Sequence, residues 1–271
     1  MNYIGWLFYT EQDAQNNDAF IQALIKEARE QHIDLQLVFK HEFNTLIDKA
    51  HVTFIWNRTR NHYITEYFEQ KNIKVFNNSY VNKIANNKWE TYILAKQLNI
   101  PCIPTWKCLP KNVQFPVVVK SISGHGGQEV ALCHNPLEVS YYRNHFGQEH
   151  SIIQPYIESN KQDIRVWSLG NKILGSVLRT GTNDFKSNYS LGGTIEKFQV
   201  HEELITQIQV LASHLKSFYI GIDFIRSVDG RFYLNEIEDP VGARSYFNLY
   251  NDDLCKILIT HIKQSITQTN V

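Results

Sequence analysis

At 271 residues the chain can bury a sizeable core, as one large domain or as two to three smaller ones. Its 27 basic and 27 acidic side chains cancel without a long run of either sign, so nothing supports a nucleic acid or an anionic membrane as the main partner. Four cysteines without CxxC spacing (Cys102, Cys108, Cys133, Cys255) make a reduced, cytoplasmic protein the default, and eleven dispersed histidines without HxxxH or HExxH spacing read as ordinary surface or boundary residues.

The start, MNYIGWLFYTEQD, lacks a basic segment and a cleavage site and reads as a first strand over Tyr3 to Tyr9, not a signal peptide. No segment approaches the length needed to span a bilayer. Strand patterns at Leu35 to Phe39, Val52 to Trp56 and Lys74 to Phe76 alternate with helical patterns at Ala14 to Arg29 and Tyr63 to Gln70. Such alternation implies a parallel sheet covered on both faces, hence a small doubly wound α/β domain over residues 1–80. A helix follows over Asn82 to Leu98, ended by Asn99-Ile100-Pro101.

Beyond that break, PCIPTWKCL and FPVVVK read as strands. The glycine cluster Ser123-Gly124-His125-Gly126-Gly127 and a strand over Glu129 to Cys133 come next. Strand, flexible loop, strand suggests an antiparallel lid, at about residues 101–156. Further strands are SIIQPYI and the pair DIRVWSL and KILGSVLR around Gly170-Asn171. An amphipathic helix over Glu202 to Phe218 carries Leu204, Ile208, Leu211, Leu215 and Phe218 at helical spacing. A hairpin comes next, and a closing helix runs through Leu254, Ile257, Leu258, Ile262 and Ile266.

That hairpin, GIDFIRSVDGRFYLNEIE, holds the most informative acids. Asp229-Gly230 reads as a two-residue turn with Val228 opposite Arg231, which sets Leu234 against Ile225 and Glu236 against Asp223. Alternation puts Glu238 on the same face as Glu236, roughly 6.7 Å further along. Opposed carboxylates are destabilising, and this face is read as the apolar one carrying Phe232, Leu234 and Ile225. A cation resolves the conflict, and three hard oxygen donors suit Mg²⁺; a solvated acidic strand end is the competing reading. Lys120, ending an apolar strand beside the glycine loop, could meet a phosphate, yet a plain turn explains that segment as well. Lys88 and Arg179 are, in isolation, ordinary solvated charges.

Taken in order, these pieces resemble the ATP-grasp superfamily, specifically its RimK-type and glutathione-synthetase-like ligases, most closely from Lys88 to Gly242. The resemblance implies a mixed α/β ATP-grasp fold: an N-terminal doubly wound domain (1–80) before an ATP-grasp domain (81–271) with an antiparallel lid subdomain and a C-terminal α+β lobe. It implies that Lys88 and Lys120 grip ATP and that the GHGGQ loop, with Gly124, Gly126 and Gly127, closes over the phosphates. SIIQPYI matches the adenine strand, with Gln154, Pro155 and Tyr156 at the base. Asp163 and Arg165 line the nucleotide site. The run RTGTNDFKSNYSLGG makes Arg179 a phosphate contact and Lys186, Ser187 and Asn188 nucleotide or metal neighbours. Asp223, Glu236 and Glu238 fall on the metal positions, for one or two Mg²⁺ with Mn²⁺ as a substitute. The chain departs from the pattern at Glu238, where the family usually has Asn, and in the following DPVGAR, where Arg244 could clamp a substrate carboxylate.

The implied activity is an ATP-dependent carboxylate-amine ligase working through an acylphosphate, with Lys120, Arg179 and Arg244 in catalytic roles. Its expected partners are small-molecule carboxylate and amine substrates, amino acids or peptides among them, and a homodimer is common for the architecture. A small-molecule kinase and a non-catalytic ATP-binding module share that architecture, and the sequence does not separate them. The N-terminal domain would lend part of the substrate pocket, with Arg58, just past VTFIWN, as its candidate. Trp56 and Trp89 read as core.

Overall fold

The computed structural model describes residues 3–47, 51–127, 129–181 and 193–268. Contacts within the chain divide it into two compact units: Met1–Lys83 with His214–Ile220 and Asp239–Val271, and Ile84–Ser213 with Gly221–Glu238.

The first unit is built on a parallel sheet. Its strands, β1 (Tyr3–Tyr9), β2 (Ile33–Phe39), β3 (Phe54–Asn57) and β4 (Lys74–Phe76), lie in the order β2-β1-β3-β4. The apolar run of β1 fits a central strand, since Leu7, Phe8 and Tyr9 are fully buried. Gly5 is required there, because a Cβ would sit 2.2 Å from the Phe54 ring. The single helix expected over Ala14 to Arg29 is two, α1 (Glu11–Asn16) and α2 (Asp18–Glu30). The Thr10 side chain caps α1 by accepting from the Asp13 N–H. A short α3 (Phe43–Leu46) precedes β3, and α4 (His62–Gln70) connects β3 to β4. The closing helix α10 (Leu254–Gln268) belongs to this unit and is tied to the end of α2 by Gln31 Nε2 donating to Thr260 Oγ1 at 2.9 Å.

The expected helix over Asn82 to Leu98 is also two, α5 (Ser79–Ala85) and α6 (Lys88–Gln97). Asn87 interrupts it. Its side chain accepts from the Trp89 and Glu90 N–H groups, both at 3.1 Å, so Lys88 becomes the first residue of a freshly capped helix.

In the second unit, β5 (Val117–Ser121) pairs antiparallel with β6 (Val130–Cys133) and with β7 (Ser151–Pro155). The strand expected at PCIPTWKCL does not form. Pro101 and Pro104 remove ladder donors, and the segment makes only the isolated bridges Cys102 to Leu234 and Trp106 to Ile153. A helix the sequence reading passed over, α7 (Pro136–Phe146), starts at an Asn135 cap with Pro136 in its first turn. It packs Val139 onto Val117, Val119 and Ala131.

A five-stranded sheet completes the unit: β8 (Gln162–Leu169), β9 (Lys172–Thr180), β10 (Thr194–Lys197), β11 (Tyr219–Arg226) and β12 (Phe232–Glu238), ordered β10-β9-β8-β11-β12. Helix α8 (Glu202–Leu215) ends short of Phe218, at Lys216 with φ 48°. A short α9 (Arg244–Leu249) follows β12. Among the described residues no helix is long and apolar enough to cross a membrane.

The β11/β12 hairpin corrects the sequence reading twice. Ser227 N–H donates to Arg231 O at 2.9 Å, so the loop is the three residues Val228, Asp229 and Gly230, with Gly230 at φ 87°. This shifts the register to Arg226 with Phe232 and Phe224 with Leu234. A bulge then inserts Asn235 as an extra residue, which brings Glu236 back opposite Asp223. The bulge also exchanges faces. Phe232, Leu234 and Ile237, at 4%, 2% and 1% exposure, lie together in the core with Ile222 and Phe224. Glu236 and Glu238 share the other face with Asp223 and Ile225. The acids are therefore not on the apolar face of the strand, and the argument for a metal from that face does not hold.

Candidate active site

Between the β5/β6 loop, β7 and the middle of β12 lies a cleft wholly within the second unit. Of the residues singled out in the sequence, Lys88, Lys120, Gly124, Gly126, Gly127, Gln154, Pro155, Tyr156, Asp163 and Glu236 line it. They come from six separate places in the chain, and the fold brings them to one space.

Lys88 donates to the Gly124 carbonyl and stands 3.5 Å from Glu236, so one ammonium joins the glycine loop to the acid strand. Gly126 and Gly127 have φ of 65° and 72°, left-handed values that glycine adopts without strain. Lys120 extends from β5 to Asn235 Oδ1 at 2.9 Å. Burial pushes its ammonium down to about 8, against the pull of Glu236. Gln154 donates to Thr105 Oγ1 at 2.9 Å, while its buried Oε1 has no partner among the described residues. The Tyr156 N–H is already given to Pro116 O at 3.2 Å. Ile103, Val118, Val130, Ile157 and Ile225 supply apolar wall.

Beside the cleft stands a denser charge centre. Asp163 on β8 is paired in register with Arg179 on β9, and Arg165 lies two residues along on the same face of β8. Arg179 Nε donates to Asp163 at 2.7 Å and its Nη2 to Asp223 at 2.7 Å. Arg165 grips Asp223 through Nε at 2.8 Å and Nη2 at 2.7 Å, and also pairs with Glu238. Like charge on Asp223, Glu236 and Glu238 is thus met by arginines and Lys88. Burial works against ionising Asp223, which is 1% exposed, but Arg165 and Arg179 hold its carboxyl down at about 2. Glu238 goes the other way. Burial, with the charges of Asp223 and Glu236, pushes it up to about 7 in spite of Arg165. Burial also raises Asp163, against Arg179.

Asp223, Glu236 and Glu238 offer carboxylate oxygens that all lie within 4.8 Å of one another, a hard donor set that fits a divalent cation. Asn235, missed in the sequence, faces the cleft because the bulge turns it there. Two expected residues stand apart. Arg244 opens α9 in the first unit, is exposed, and does not line the cleft. Arg58, expected to serve a substrate pocket, is 2% exposed; its Nε donates to Tyr9 Oη at 2.5 Å and its Nη2 to Val241 O at 2.8 Å. Among rings of Tyr9, Phe20 and Trp56 it acts as a core pin. Trp56 is core as expected, whereas Trp89 is half-buried. Lys186, Ser187 and Asn188 lie outside the described residues.

The architecture is that of the ATP-grasp ligases. It superposes on the D-alanine–D-alanine ligase of Bacillus anthracis in complex with ATP with a TM-score of 0.75, at 16% identity, over 99% of this chain and 98% of that one. Residues 102–262 match the model of the RimK-like ATP-grasp domain, and the chain belongs to that family. Among relatives, an uncharacterized protein of Mycoplasma pneumoniae, the MG011 homolog, is 29% identical over 95% of this chain and 93% of its own length. An α-aminoadipate–LysW ligase of Saccharolobus solfataricus is 25% identical over 65% of this chain and 69% of its own. With the family comes the class of enzyme, an ATP-dependent ligase that forms C–N bonds.

Proposed function

We propose that the chain joins a small carboxylate, of amino-acid or peptide type, to an amine in the cytoplasm, through an acylphosphate. The observation that carries this reading is the convergence of two lysines, a glycine loop and three clustered acids on one cleft. A substrate carboxylate oxygen takes the terminal phosphoryl group of ATP, releasing ADP. The amine then attacks the acyl carbon and phosphate leaves. Such chemistry asks the protein for position and charge more than for bond-making groups.

Gln154 Oε1, a buried acceptor without a partner among the described residues, fits the amino group of an adenine, and the apolar walls fit its faces. Lys88 and Lys120 meet the phosphates, and the loop at Gly124, Gly126 and Gly127 lets backbone approach them and keeps water from the acylphosphate. Asp163, Asp223, Glu236 and Glu238 balance Lys88, Lys120, Arg165 and Arg179 in number, so a polyphosphate needs cations brought with it. Asp223, Glu236 and Glu238 would hold Mg²⁺, which would supply that charge. Arg179 fixes Asp163 and Asp223, and Arg244 is retained as a candidate for a substrate carboxylate.

Amino acids and small carboxylates, each with an amine and Mg²⁺-ATP, would be screened for phosphate release, with mass spectrometry of the product. Hydroxylamine in place of the amine should trap a hydroxamate. A phosphorylated hydroxyl product, or ATP binding with no carboxylate able to stimulate release, would overturn the reading.

A further inference from the structure

We infer that Asn235 is a positioning residue for the nucleotide, holding the Lys120 ammonium toward the phosphates without cancelling its charge. The inference rests on the ligase reading above. Three observations lead to it. Asn235 is the extra residue of the β12 bulge, and only that extra residue places an amide next to Glu236 on the cleft side of a strand that would otherwise alternate. Its Oδ1 accepts from Lys120 Nζ at 2.9 Å, linking β12 to a residue 115 positions earlier on the strand that leads into the glycine loop. The acceptor is neutral while acids surround it. Glu236 lies next in sequence, but it is Lys88 that forms an ion pair with Glu236.

The choice of an amide has a physical consequence. A long, flexible lysine in a cleft loses affinity for phosphate if it wanders or if a carboxylate neutralises it. An amide oxygen restricts the ammonium and leaves a full positive charge. Because Lys120 donates to Oδ1, the amide orientation is fixed and the Asn235 NH₂ faces away from the ammonium. An aspartate in the same place would keep the shape and remove the net charge.

Binding of Mg²⁺-ATP would be measured by calorimetry for wild type, Asn235→Ala, Lys120→Ala, the double variant, and Asn235→Asp. Asn235→Ala should weaken binding by roughly ten- to a hundredfold, the scale of one charge-assisted hydrogen bond. In the Lys120→Ala background the same change should cost little more, because the residue acts through Lys120. Asn235→Asp, close in shape, should weaken binding at least as much and serves as the deciding variant if Asn235→Ala does not fold. Effects of Asn235→Ala and Lys120→Ala that simply add, or an Asn235→Asp chain that binds as tightly as wild type, would overturn the inference while leaving the ligase reading in place. A wild-type chain that binds no ATP would overturn both.

Discussion

The two ends of the site treat their cations in opposite ways. At the cleft end, Lys88 and Lys120 each reach a carbonyl or amide oxygen, with Glu236 as the acid at hand. At the other end, Arg165 and Arg179 grip carboxylates in two-pronged fashion, and Asp223 takes both. A lysine ammonium is a point charge that can turn to a new anion, whereas a forked guanidinium is committed to planar partners. The lysine end is therefore open to an arriving polyanion. The arginine end holds the acids in place before anything arrives.

The comparison breaks most severely at Arg179. Arg179→Ala leaves Asp163 and Asp223 short of a buried partner, and the loss of stability should be about 3–5 kcal/mol, read from the urea midpoint. At the lysine end, Lys120→Ala and Glu236→Gln should leave the urea midpoint near wild type. Carboxylate-stimulated phosphate release should still fall by about a hundred- to a thousandfold, the scale of one lost electrostatic contact. Near-normal turnover in either would contradict the site.

A smaller effect is a pH slope. The folded Glu238 is held at about 7, above its ordinary value near 4.5, so between those values the folded state binds the extra proton. Its contribution is fully present below about 4.5 and is lost as pH rises toward 7, in protein free of divalent cations. Glu238→Gln should flatten that part of a stability-pH curve measured with a chelator present. The smallest effect is expected at the hairpin tip, where Arg231 and Asp229 repeat the arginine-carboxylate chemistry in the open. Arg231→Ala should not move the urea midpoint measurably, since solvent screens such a pair. An equal loss there and at Arg179 would show that burial is not what separates them.

Much of the lysine end was legible in the sequence, because a cation beside a glycine cluster and an acid triplet are written as residue types in short segments. Asp223, Glu236 and Glu238 do cluster, but the steps that led to them compensated. The two-residue turn was one residue too short, and the bulge at Asn235 restored the pairing. A bulge leaves little trace in an Asn flanked by Leu and Glu, so the exchange of faces was not readable. The partners of the arginines were hidden for another reason: Asp163, Arg165, Arg179 and Asp223 meet across strands, and no local spacing records that. Helix breaks at Asn17 and Asn87 were missed because apolar periodicity continues through them, although Asn87 is a good cap once the break is known. Arg58 misled because its place past a parallel strand says nothing of the rings and carbonyl that enclose it.

The first unit is drawn from separated stretches of the chain, Met1–Lys83, His214–Ile220 and Asp239–Val271, with the segments of the second unit between them. A ribosome therefore releases its sheet well before α10 exists, and the end of α2 meets its Thr260 partner only once that later segment is made. A fragment stopped near residue 83 should be sticky and poorly soluble, and supplying the segment from residue 239 onward as a separate chain should rescue it.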